Sequence, residues 1–116
     1  MNYLSIGQAI IVDMDAPTVS SGFGTSPSIP HGTSNAAFSV NVGTGGSASS
    51  GVIGFTNAAP NGWNCHFENS TSSSTLTVAS VPTSTTSVTL TSYSRTTGTL
   101  TAFNASDVLV GGCSAY

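Results

Sequence analysis

An all-β fold is what this 116-residue sequence predicts: a compact antiparallel β-sandwich or jelly-roll-like domain with a short N-terminal arm. Three observations lead there. Apolar and polar residues alternate at period two in several short segments, the spacing that turns one face of a strand toward a core. Clusters of Gly, Ser, Asn and Pro separate those segments at intervals typical of a β-sandwich, jelly roll or small barrel. No segment carries the 3.6-residue apolar stripe of a helix. Composition agrees, because Ser and Thr together supply 38 residues. Thr favours strands, and Ser with Gly favours turns. The length suits one domain with one core.

The elements follow in chain order. Residues 1–16 hold one apolar run, AIIV, closed by Asp13 and Pro17. It reads as an arm or first strand, so the chain divides into an arm at 1–19 and a single β-sandwich domain at 20–116. Residues 20–37 are rich in Gly, Ser, Thr and Pro, with Phe23 and Ile29 as apolar exceptions; they are expected to form an ordered approach to the sheet. Phe38, Val40 and Val42 share one face of a strand that ends in GTGG. That Gly-rich stretch lacks the Lys and the following helix of a phosphate loop and reads as a hairpin turn. Ile53 and Phe55 mark the next strand, closed by NAAPNG. In GWNCHFEN, Trp63, Cys65 and Phe67 alternate with Asn64, His66 and Glu68, the clearest half-buried strand of the chain. STSSST at 70–75 is a loop. Leu76 with Val78, Val88 with Leu90, and Leu100 with Ala102 mark three more strands, and Asp107 to Tyr116 the last. Phe38, Val40, Trp63, Cys65, Phe67, Val88 and Leu90 are the expected interior.

Charge excludes more than it suggests. Asp13, Asp15, Glu68, Asp107 and Arg95 are the only charged residues, 4% of the chain, against 38% hydrophobic residues. Disorder goes with high charge and low hydrophobicity, so this chain folds. A single Arg and no Lys argue against binding nucleic acid, whose affinity comes from several basic contacts. An anionic membrane finds equally little to attract it. No apolar run reaches the ~18–20 residues of a membrane span. The start lacks the basic segment of a secretion signal, which points to synthesis in a cytoplasm. Strands faced with Ser and Thr and nearly free of charge leave sheet edges unguarded. Such edges are expected to be covered by copies of the chain or by a larger surface.

The reactive residues form no catalytic frame. Cys65 and Cys113 stand on different expected strands. They either form a disulfide, worth roughly 4 kcal/mol in the chain-entropy model, or remain two buried thiols acting as small hydrophobes. His66 and Glu68 give an H-x-E triplet without the P-C-x-x-C that zinc deaminases also need, and His31 lies elsewhere. They read as surface polar residues, with no metal and no cofactor. No Ser sits in a G-x-S-x-G frame. Asn69-Ser-Thr and Asn104-Ala-Ser match glycosylation sequons, a frequent coincidence in so Ser- and Thr-rich a chain. The expectation is that the chain is not an enzyme.

Four ordered stretches carry a resemblance: residues 22–55 with GFGTSPSI and VGTGG, APNGWNCHFEN with NGWNC, the strand TSVTLTSYS, and the ending DVLVGGCSAY. Over about residues 20–116 the chain resembles small tailed-bacteriophage virion proteins and C-terminal domains of phage fibre proteins. The resemblance implies a structural component of the virion, without catalytic residues, and a homo-oligomer, most simply a trimer. Residues 1–19 hold no coiled-coil heptads and no repeats, whereas a fibre tip is expected to need a shaft or an adaptor. The expected role is therefore that of a capsid decoration, or cement, protein on the head surface, bound to the major capsid protein through Leu4, Ile6, Ile10, Ile11 and Val12 of the arm. The alternative is a head- or tail-fibre tip that binds a host receptor. An exposed aromatic patch of Tyr93 and Phe103 beside Asn104 would favour that alternative by stacking on sugars.

Overall fold

A computed structural model describes residues 3–6, 10–13, 15–32, 34–45 and 47–116, the first two segments by their backbone alone. β1 (Tyr3–Ile6) and β2 (Ile10–Asp13) pair antiparallel, with Leu4 opposite Val12, so the arm is a two-stranded hairpin. The side chains of Leu4, Ile6, Ile10, Ile11 and Val12 lie outside the described residues. The body follows as β3 (Thr18–Gly22), β4 (Ser28–Gly32), β5 (Phe38–Asn41), β6 (Ser50–Gly54), β7 (Trp63–Asn69), β8 (Leu76–Ser84), β9 (Ser87–Ser94) and β10 (Val108–Ala115).

These eight strands form two antiparallel four-stranded sheets, ordered β4-β5-β10-β7 and β3-β6-β9-β8. The first is called sheet I here and the second sheet II. The fold is a β-sandwich with the strand number of a jelly roll. Only β4–β5 and β8–β9 are consecutive strands paired in one sheet; every other body connection crosses between sheets.

Alternation decides which side chains meet between the sheets. In β7, Trp63, Cys65, Phe67 and Asn69 turn inward, and Asn64, His66 and Glu68 outward. Val40, Leu109, Ile53, Val88 and Leu90 close the interior from both sheets, each fully buried. Phe55 stacks on Trp63 at 4.1 Å between ring centroids. Phe38 meets Phe67 edge-to-face at 5.1 Å. That contact runs across β10 at Gly111, which is paired with both Phe residues. A Cβ at Gly111 would strike the backbone of His66 and Phe67, so the central strand can carry only glycine there.

Three expectations are corrected. Residues 20–37 are more than an approach: they hold all of β4 and the end of β3, which begins at Thr18 inside the expected arm, and these are one edge strand of each sheet. The GTGG stretch is not a hairpin turn, because β5 and β6 belong to different sheets and the segment carries the chain from one to the other. Leu100 and Ala102 form no strand. Leu100 makes a single bridge to Tyr93 and is 61% exposed. The chain turns inward there instead, because Phe103 is drawn into the core, where its N–H donates to Ala48 O at 2.9 Å.

Candidate functional site

The residues singled out by sequence fall at four places. The first is the pair of cysteines. Cys65 and Cys113 are directly opposed on β7 and β10. The flanking residues of β7 take up the ladder bonds: Ser70 N–H donates to Val108 O, and Gly62 exchanges bonds with Tyr116. Cys65 and Cys113 thus form a non-hydrogen-bonded pair, the type that brings side chains closest. Their Cα atoms are 4.0 Å apart and a disulfide joins them. Both are buried in the core. Cys113 N–H turns the other way, toward Asn35 O at 2.8 Å, and Asn35 Nδ2 donates to Cys113 O at 2.7 Å. Asn35 thereby extends the ladder of β10 beyond the end of β5.

The second place is the GFG segment. Gly22, Phe23 and Gly24 take successive φ values of 75°, 62° and 86°. Such a run is easy for glycine and costs a residue with a side chain on the order of 1 kcal/mol or more. Phe23 bears that cost because its ring is completely buried, 5.8 Å from Phe103. The ring lies over Gly51, where a Cβ would collide with it. Phe23 O accepts from Gly43 N–H at 2.7 Å, and Thr25 and Thr44 exchange bonds at 3.0 Å. GFGT and VGTG, far apart in sequence, are therefore one joint between the sheets.

A third place escaped sequence reading. Asp107, wholly buried, accepts at Oδ1 from Ser72 Oγ (2.7 Å) and at Oδ2 from Asn69 Nδ2 (2.8 Å) and Asn104 N–H (2.9 Å). Asn104 Nδ2 also donates to Ser72 Oγ at 2.9 Å. This network ties the loop after β7 to the turn before β10. It also places both sequon asparagines: Asn69 is buried with its amide donated to Asp107, and Asn104 is exposed with its amide donated to Ser72. The available signal was an acid at the mouth of a strand in a chain with so few acids.

The fourth place is a slot between the open edges of β7 and β8. Its volume is about 520 Å³, and Asn64, His66, Glu68 and Ser80 contribute its polar lining. Trp63, Cys65 and Phe67 turn their backbone groups toward this edge, by the same alternation that pairs their neighbours with β10. Ser80 Oγ already donates to Cys65 O at 2.6 Å. The slot can hydrogen-bond an extended or polyhydroxylated ligand.

Elsewhere the expected surface residues are dispersed. His31, His66 and Glu68 are exposed, and Glu68 and His31 lie on opposite edge strands of sheet I. Ser39 Oγ is buried without a hydrogen-bond partner, although His31 faces it on β4. Among the described residues no group of three His, Cys, Asp or Glu could hold a metal ion. Among the described residues there is no helix long and apolar enough to cross a membrane. The aromatic patch is corrected: Phe103 is 1% exposed and packs on Phe23, so it cannot stack on a sugar beside Tyr93. Comparison with known families, curated proteins and solved structures finds no match to this chain.

Proposed function

We propose that this chain is a non-enzymatic structural protein of a tailed-bacteriophage virion, a cement protein that binds the head surface and stabilises the shell. One observation supports this reading most. Most motifs that carry the resemblance serve the scaffold: GFGT and VGTG form the joint between sheets, and NGWNC and the terminal strand share the disulfide. Distinctive residues spent on holding a small body together suit a component whose work is mechanical. Its partners are copies of itself, three by the resemblance, and the major capsid protein. The hairpin of β1 and β2 is the shell-contacting element in this reading.

A cement that bridges neighbouring shell subunits stabilises only the bound arrangement, by mass action. Particles lacking the protein should assemble and adsorb to host cells, yet release their genome at lower temperature. Removing residues 1–16 should abolish attachment to the shell. The slot beside Glu68 and His66 favours a second reading, a fibre tip whose polar groove binds a host receptor. That reading requires the opposite result, lost adsorption with unchanged thermal release. Both assays on the same deletion particles decide between the two.

A further inference from the structure

The two outer faces of the sandwich differ in one property that bears on assembly. None of the residues in β3, β6, β9 and β8 is Asp, Glu, Lys, Arg or His. Val88 and Leu90 of β9 are buried, so Thr89 and Thr91 stand outward. Register extends the outward rows across the sheet. One runs Val81, Thr89, Val52, Ser21, and the next includes Ala79 and Thr91. Val81 is 58% exposed, one of the few large hydrophobic side chains left so open. At ~4.8 Å between strands and ~3.4 Å per residue, four strands of 5, 5, 8 and 9 residues make a plane roughly 19 Å wide, ~17 Å long at the β3 side and ~31 Å long at the β8 side. Side-chain relief brings that to the order of one partner's share, ~800 Å², of a standard interface.

We infer that the outer face of sheet II is the surface through which copies of this chain contact one another. The inference rests on the reading that the chain is a homo-oligomer and names the surface. Charge selects the occupant. Each chain carries a net charge of −3, so two copies repel through any surface that bears their acids. Glu68 stands on the outer face of sheet I together with His66. Sheet II offers the face where a copy meets no like charge. It has no charged group with which to select a charged partner, whereas hydroxyls that both donate and accept are complementary to themselves. The β8 edge, also uncharged, continues this face to the border of the molecule.

Sedimentation of the full chain at tens of micromolar tests the assignment. The wild type should sediment as an oligomer. Val81→Glu should raise the dissociation constant roughly 10-fold or more, since closing the interface would bury an unpaired charge. Ala79→Arg, of opposite sign at a second exposed position, should do the same, and circular dichroism should show both variants folded. Val110→Glu, on the outer face of sheet I, should leave association unchanged. A monomeric wild type would remove the association reading and this surface with it. An oligomer that survives both sheet II variants, or dissociates with Val110→Glu, overturns the surface and leaves association standing.

Discussion

The β7–β10 pair and the GFG joint stabilise the same sandwich by different means. Along β7 and β10 the side chains do the holding: Trp63, Cys65, Phe67 and Leu109 are buried in register, and the disulfide locks the pair. At the joint, residues 22–25 bury a single large ring and hold position through backbone bonds to Ser50, Gly43 and Thr44. The contrast teaches that a stretch almost without apolar residues can still be a keystone, provided that its one apolar side chain has nowhere else to go.

The largest expected effect therefore falls on the weaker-looking region. Phe23→Ala removes a fully buried ring from between Gly51 and Phe103 and leaves the strained backbone without compensation. A loss of about 3–5 kcal/mol is expected, as for other large-to-small core changes. Urea unfolding measures it; a loss below about 1 kcal/mol would show that the joint is ornamental to stability.

Next comes the pair that looks stronger. Replacing Cys65 and Cys113 together by Ala frees a loop of 48 residues in the unfolded chain, at a cost of roughly 4 kcal/mol in the chain-entropy model. The same shift should follow reduction of the wild type, and unfolding curves with and without reductant should converge in the double variant. An unfolding midpoint that does not respond to reductant would break the comparison from the other side.

How legible each region was follows from the same contrast. Period-two alternation reports burial of many side chains, and it located β5, β6, β7, β8 and β9 through residues such as Val40, Ile53, Phe67, Leu76 and Leu90, while β10 reads only as a closing strand from Asp107 to Tyr116. It cannot report a strand with one half-buried apolar side chain among exposed ones, so β3 (TVSSG, with Val19) and β4 (SIPHG, with Ile29) read only as the end of an arm and an ordered approach. It also misplaced Leu100. An apolar residue among threonines resembles half a strand, while the residue actually taken into the core was Phe103, three positions later. The slot and the Asp107 network were invisible for another reason. The Asp107 network joins a loop and a turn far apart in the chain, and the slot opens where the edge strands of two different sheets meet; no local spacing encodes either meeting.

The Asp107 network gives a third, smaller effect. Asp107→Ala strips the acceptor from Ser72, Asn69 and Asn104 at once. Leaving buried donors unpaired costs about 1–3 kcal/mol per group, less where water reaches them; with Ser72 and Asn104 nearer the surface, a total of about 3 kcal/mol is expected. Amide exchange should quicken first at Asn104 and Ser72, which the network holds directly, and not in β9. Uniform loss of protection across the sandwich would instead make Asp107 part of the global core.

The smallest effect carries a sign, and two serines supply it. Ser80 Oγ donates to the open-edge carbonyl of Cys65 at 2.6 Å. Ser92 Oγ is buried on β9, opposite Val78, with no hydrogen-bond partner. The same substitution should therefore act in opposite directions. Ser80→Ala loses a made bond and should cost about 0.5–1.5 kcal/mol. Ser92→Ala removes a hydroxyl that surrendered its water on folding and gained nothing, and it leaves the backbone bond from Ser92 N–H to Ser49 O in place. That change should stabilise by up to about 1 kcal/mol, offset in part by the small void left where the oxygen was. Thermal melts of the two variants side by side give the answer. If Ser92→Ala melts below the wild type, the hydroxyl is paired after all, and the interior of sheet II is held by more than the packing of Val88 and Leu90.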